Sequence, residues 1–191
     1  MADLRALTLH VIRHGECEHN IAGRIAGQND TPLTQRGREQ ARANGRLLRD
    51  LCVDLDAADF FASPLHRASA TMELLREAAG LAPSGYRADR RLMEIDFGDQ
   101  TGLPIRQAGP YGAAHWDHVR PNGESLAMVH ARIGAFLSGL ARDAVIVTHA
   151  GPLRMIRAHL LGLSREATLD YHPPNAGIMR LSGGSEAWFG D

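Results

Sequence analysis

In the stretch LHVIRHGECEHN, residues 9–20, an alternating apolar run breaks into Arg13-His14-Gly15-Glu16. A turn needs only the glycine, so the arginine and the histidine require another explanation. A guanidinium presents a planar fork of donors that matches two oxygens of a phosphate, and a neutral imidazole beside it is a nucleophile. Two further segments carry the same residue types. SPLHRA, residues 63–68, places Arg67 in the first turn of a predicted helix, and VTHAG, residues 147–151, ends a predicted strand in Thr148-His149. An isolated Arg-His pair after a strand is more often a solvated turn. The company of Arg67 and His149 reverses that reading in favour of an oxyanion site, in which a histidine between two arginines could attack phosphorus.

Such a site needs parallel neighbouring strands that end level with one another. Leu7 to Ile12 reads as a buried strand, and residues 20–33 as loop. Thr34 is placed to cap a helix through QRGREQARANGRLLRDL, with Ala41, Leu48 and Leu51 on its buried side. AADFFASP is a second strand stopped at Pro64. Ser63-Pro64 then predicts a helix start with a hydroxyl cap, and Leu65, Ala68, Met72, Leu75 and Ala79 mark that helix's buried face. RLMEIDFGD is ambiguous. Residues 101–123, rich in glycine and proline, read as a surface excursion. Ser125 opens a helix with Leu126, Val129, Ile133, Phe136 or Leu137, and Leu140 in register. DAVIVTHAGP is the clearest strand, PLRMIRAHLLGL the helix after it, and AGIMRLS and EAWFG edge strands. Alternating strands and helices predict an α/β class, a three-layer α/β/α arrangement around a mostly parallel sheet. Ligands bind such sheets beyond the carboxyl ends of the strands.

Composition narrows the rest. The 191 residues are 44% hydrophobic, enough for a full core in one domain spanning 1–191. The net charge of -1 points to neither nucleic acid nor a membrane surface as partner. All 21 basic residues are arginine, which excludes any mechanism that needs a lysine. The charged N-terminal run reads as neither a signal peptide nor a membrane span, and a cytoplasmic protein is expected. Cys17 and Cys52 read as free thiols. His115-Trp116-Asp117-His118 lacks a third ligand, so it is read as part of a flap over the pocket rather than as a zinc site. His10, His19, His66, His130, His159 and His172 are read as packing or surface residues.

Taken in order, these landmarks resemble the histidine phosphatase superfamily, which includes the cofactor-dependent phosphoglycerate mutases. The resemblance rests on Arg13-His14-Gly15-Glu16, Asn20, Thr31-Pro32-Leu33-Thr34 with Gly37, and Ser63-Pro64-Leu65-His66-Arg67-Ala68. It continues through Glu94 with Phe97-Gly98, Gly123-Glu124-Ser125, and Val147-Thr148-His149-Ala150-Gly151. It implies a phosphoglycerate mutase-like fold, His14 as a nucleophile that becomes a phosphohistidine, and Arg13, Arg67 and His149 as the clamp on the phosphoryl group. Glu94 is implied as the acid and then the base, ahead of Glu16, Asp96, Asp99 and Glu124. Asn20, Gly27 and Ala150 are implied as substrate-binding, and neither metal nor cofactor is implied.

The resemblance leaves two reactions open, hydrolysis and mutase-type transfer. A mutase has extra length, added cationic contacts that include lysine, and a hydroxyl side chain where Ala26 stands. Cys17 occupies a position where serine or threonine is usual. These departures favour a phosphatase acting on a small phosphorylated metabolite and releasing inorganic phosphate. Sugar phosphates, glycerate phosphates, nucleotide-like monophosphates such as α-ribazole phosphate, and phosphoprotein all stay open as substrates, and the α-ribazole phosphatases resemble this chain in size and in Asn122-Gly123-Glu124. A non-catalytic phosphoester-binding relic is the third reading, disfavoured by the presence of His14, Glu94 and His149.

Overall fold

The computed structural model describes residues 4–51 and 54–190, so Cys52 falls outside the described residues. In chain order the regular elements are β1 (Leu9–Arg13), α1 (Glu18–Ile21), α2 (Gln35–Leu51), β2 (Asp59–Ala62), α3 (His66–Ala78) and β3 (Arg87–Ala88). They continue with α4 (Leu126–Leu137), β4 (Ala144–Thr148), α5 (Ala150–Leu161), α6 (Arg165–Asp170), β5 (Ile178–Ser182) and β6 (Ser185–Phe189). The sheet runs β3-β2-β4-β1-β5-β6. β3, β2, β4 and β1 are mutually parallel, while β5 runs antiparallel to β1 and β6 antiparallel to β5.

β4 sits at the middle of the parallel part and is buried along its whole length, AVIVT. That unbroken buried run, β-branched from Val145 to Thr148, is what a strand covered on both faces requires. Side chains alternate between two cores. Val11 and Ile146 pack with Val129, Ile133, Phe136 and Ile156 under α4 and α5. Ile12, Val145 and Val147 pack with Leu48, Met72 and Leu75 under α2 and α3. The period of two thus places one helical layer on each side of the sheet. Among the described residues no helix is long and apolar enough to cross a membrane.

Register levels the ends of the central strands. Arg13 pairs with Thr148 and Ala62 with Val147. The ladder runs one residue further on each side, with His14 N–H donating to the Thr148 carbonyl (2.9 Å) and Ser63 N–H to the Val147 carbonyl (3.0 Å). His14, Ser63 and His149 therefore emerge together at one edge of the sheet.

Two local expectations need correction. Thr34 caps α2 as expected, its Oγ1 accepting from Gly37 N–H at 2.9 Å, but Ser63 does not cap α3. That helix starts at His66 with Leu65 as its N-cap, and His66 N–H donates to Asp30 Oδ1 at 2.6 Å. Ser63 is still in the sheet ladder, so the cap comes from Asp30 in the loop between α1 and α2. Nor is β5 an edge strand, since it lies between β1 and β6. The turn joining β5 to β6 explains why they form a hairpin: Gly183 and Gly184 both have positive φ, 59° and 76°, the geometry of a tight two-residue connection.

The excursion between residues 101 and 123 is pinned at several points. Ile25 N–H donates to the Leu103 carbonyl (2.9 Å) and Ile105 N–H to the Gly23 carbonyl (2.9 Å). Trp116 is buried, packs edge-on against His130 of α4 at 5.7 Å and lies beneath the Arg165 guanidinium.

Candidate active site

His14 follows β1 directly and is buried. The turn that holds it is tight. A Cβ on Gly15 would overlap the Gly37 carbonyl oxygen, and one on Gly37 would overlap that of Glu16, so glycine at both positions lets the start of α2 close on the turn. His14 Nδ1 lies 2.8 Å from the Gly15 carbonyl oxygen. A carbonyl only accepts, so Nδ1 carries the proton and Nε2 keeps its lone pair. Burial, reinforced by the Arg67 and Arg13 guanidiniums, holds the His14 pKa well below its ordinary 6.5. The ring is neutral at physiological pH and Nε2 is a free nucleophile.

The two arginines are fixed through backbone carbonyls. Arg67, with no solvent exposure, donates from Nη1 to Asn29 (2.8 Å) and from Nη2 to Gly27 (2.7 Å). Arg13 donates from Nη1 to the Pro173 carbonyl at 2.8 Å. Both Nε atoms are buried and have no partner among the described residues. A guanidinium has five N–H donors, so each arginine keeps donors in reserve. Burying them costs free energy that an incoming anion would offset.

His149 terminates β4 and begins α5 as its N-cap. It is fully buried, its ring centroid 5.0 Å from that of His14. Burial, then Arg67 and His14, push its pKa well below the ordinary value. Its Nε2 lies 2.8 Å from Ser63 Oγ.

Glu94 approaches from the segment after the 3-10 turn Arg90–Leu92. Its Oε1 accepts from the N–H groups of Ile95 (3.0 Å) and Gly151 (3.1 Å). Among carboxylates, Glu94 most strongly opposes the lowering of both the Arg13 and Arg67 pKa values. The rival acids are engaged elsewhere. Asp96 accepts from Gly98 N–H, Asp99 from Asn122, Glu16 from Thr34, and Glu124 pairs with Arg132.

Asn20 Oδ1 accepts from Cys17 N–H and Sγ, and its amide donors have no hydrogen-bond partner among the described residues. Gly27 turns its carbonyl to Arg67, and Ala150 is the first residue of α5. The structure thus gathers His14, His149, Arg13, Arg67 and Glu94 at one end of the sheet, while Gly27 stands behind Arg67. His115 and His118 are both exposed, with ring centroids 6.4 Å from each other.

The sequence reading missed several residues. Asn175 Nδ2 donates to the His14 carbonyl (2.9 Å) and to Asn20 Oδ1 (3.3 Å), tying the β1 turn to the segment before β5. Arg154 of α5 is buried and donates to Tyr111 Oη at 3.0 Å, bringing the excursion against α5. The Glu124–Arg132 pair braces the Glu94 segment, with Glu124 Oε2 accepting from Asp96 N–H (3.0 Å) and Arg132 Nη2 donating to the Glu94 carbonyl (3.2 Å). The one available signal was arginine inside otherwise apolar helical stripes, in PLRMIRA and in MVHARIGAF.

A family model described as the histidine phosphatase superfamily, branch 1, matches residues 9–189. The chain belongs to the histidine phosphatase superfamily. Members of this superfamily similar to the chain include both phosphatases and mutases. It is 33% identical over 174 residues to the adenosylcobalamin/alpha-ribazole phosphatase of Escherichia coli, covering 84% of this chain and 82% of that protein. It is 31% identical over 179 residues to the 2,3-bisphosphoglycerate-dependent phosphoglycerate mutase of Rhizobium meliloti, covering 85% and 83%. Among solved structures, mycobacterial glucosyl-3-phosphoglycerate phosphatase superposes with a TM-score of 0.74 at 29% identity, covering 97% of both chains. The superfamily assignment makes this chain a phosphoryl-transfer enzyme, and its six-stranded sheet is the phosphoglycerate mutase-like fold.

Proposed function

We propose that this histidine phosphatase hydrolyses small phosphate monoesters through a phosphohistidine at His14, without a metal ion. The observation that carries the reading is the His14 side chain: Nδ1 tied to the Gly15 carbonyl, Nε2 left with its lone pair, and the ring kept neutral beside two arginines.

In the first step Nε2 attacks phosphorus and the P–O bond to the alcohol breaks. Glu94, as the acid, gives its proton to the departing oxygen, because an alkoxide is a poor leaving group. Arg13 and Arg67 neutralise the phosphoryl oxygens with donors already in place, which avoids reorganisation as charge moves. In the second step the Glu94 carboxylate takes a proton from water as that water attacks phosphorus. The P–N bond breaks, inorganic phosphate leaves, and both His14 and Glu94 return to their starting states. Asn20, through its amide donors, and Ala150, at the start of α5, are proposed to contact the substrate, with Gly27 holding Arg67.

The second reading is mutase-type transfer, favoured by the likeness to the Rhizobium meliloti protein. There the phosphoryl group on His14 would pass to a retained alcohol instead of water. The absence of lysine from the whole chain and Ala26 beside Gly27 favour water. The test is a panel of phosphate monoesters that includes α-ribazole phosphate, sugar phosphates and phosphoglycerates, assayed for both phosphate release and isomer formation after dialysis against a chelator. Phosphate release that survives the chelator is expected. Isomer formation exceeding release would establish the mutase, and activity restored only by added metal would overturn the mechanism.

A further inference from the structure

Ser63 directly follows β2 and has no exposure to solvent. Its Oγ has two polar neighbours among the described residues, Leu65 N–H at 3.3 Å and His149 Nε2 at 2.8 Å. A serine hydroxyl has one proton to give and two lone pairs to receive with. Leu65 N–H is a donor and takes up a lone pair. The hydroxyl proton is left with one acceptor, the Nε2 lone pair of His149. The opposite arrangement, Nε2–H donating to Oγ, would strand a buried hydroxyl proton, at a cost of about 1–3 kcal/mol.

Ser63 therefore decides which nitrogen of His149 bears the proton. With Nε2 accepting, the neutral ring carries its hydrogen on Nδ1, and that atom is buried with no partner among the described residues. His14 also holds its proton on Nδ1, but there the Gly15 carbonyl absorbs it. The two rings, 5.0 Å apart, consequently differ in what they leave uncommitted. His14 offers a lone pair and His149 offers an N–H.

We infer that Ser63 is a positioning residue that makes His149 a hydrogen-bond donor to the transferring phosphoryl group. The inference rests on the pocket being a phosphoryl-transfer site. A phosphoryl oxygen gains from an N–H and is repelled by a lone pair, so the wrong tautomer of His149 would turn a stabilising contact into an opposing one. Because the donor is neutral, the His14 lone pair is not exposed to a third fixed cation during attack.

The experiment reads the tautomer and the rate separately. Long-range proton–nitrogen correlation spectra of the 15N-histidine-labelled protein report which His149 nitrogen is protonated, and they need no substrate. The Nδ1–H form is expected in the native chain, with Nε2–H gaining population in Ser63→Ala. With p-nitrophenyl phosphate, kcat should fall by roughly 10- to 100-fold in Ser63→Ala, by analogy with the loss of partners that orient metal-bound histidines, while KM changes little. Ser63→Thr, which keeps the hydroxyl, should restore both the tautomer and the rate. An Nε2–H tautomer in the native chain would overturn the inference, as would native kcat in Ser63→Ala or a lost rate with the tautomer unchanged. A native chain inert toward every phosphate ester would instead sink the reading of the pocket, and the tautomer spectrum would still stand on its own.

Discussion

Gly151 donates its N–H to Glu94 Oε1 at 3.1 Å, and a Cβ at position 151 would overlap that same oxygen. The first turn of α5 therefore both holds the proposed acid and defines how near it can come. Gly151→Ala should displace the carboxylate while leaving its charge intact. A misplacement of about 1 Å can cost about a hundredfold in rate. Glu94→Gln removes the proton instead. Both variants should slow single-turnover phosphorylation by alkyl phosphates far more than by p-nitrophenyl phosphate, whose leaving group needs little protonation. Equal slowing for the two leaving groups would move the acid role to another carboxylate.

Arg67→Ala should be much more damaging than Arg142→Ala. Arg142 is an exposed partner of Asp59 at 2.8 Å, a surface pair worth about 0–1 kcal/mol. Arg67 is fully buried, with two carbonyls depending on it. Its loss should cost about 3–4 kcal/mol of transition-state stabilisation, read as kcat/KM. It should also lower the denaturant midpoint, because the Gly27 and Asn29 carbonyls lose their donors. Similar kcat/KM for the two variants would remove Arg67 from the reaction.

His14 should carry phosphate during turnover. Rapid quench of labelled substrate into base should trap label on the peptide containing His14, because a P–N bond survives base and is cleaved by acid. The label should vanish on acid treatment and be absent from His14→Ala. Acid-stable label, or label persisting in that variant, would exclude the phosphohistidine.

Stability should fall as pH drops from neutrality toward about 4, where the His10 pKa is held by burial and, after it, by Arg180. The folded value lies below the unfolded 6.5, so between the two the unfolded chain binds more protons and acid favours unfolding. A shift of this size corresponds to about 3 kcal/mol, lost progressively through that window. His14 and His149 are shifted in the same direction. Denaturant melts at pH 7.5 and pH 5 should show a smaller difference in His10→Gln than in the native chain. Equal pH sensitivity in both would contradict the assignment.

The sequence by itself determined the four long helices, the strands other than β3, and the order of the chemical groups, while the short elements α1, β3 and α6 carried no readable period. An alternating apolar run made β1 visible, unbroken apolar runs made β2 and β4 visible, and Thr34 and Ser125 marked helix starts that the structure keeps. The arginines and histidines could be placed at strand ends because strand ends are where the apolar period stops. Tertiary structure decided what each polar atom touches. Ser63 looks like a helix cap within six residues of sequence, and only the level register of β2 against β4 turns it toward His149. Asp30, from a loop that carries no period, supplies the cap in its place. Asn175 meets His14 across 161 positions of chain, and Glu94 meets Gly151 across 57. Local sequence encodes backbone preference and burial, both of which act over a few residues. Hydrogen-bond partners and tautomers depend on ångström-scale approach between distant segments, which is set only when the sheet register and the two helical layers are packed.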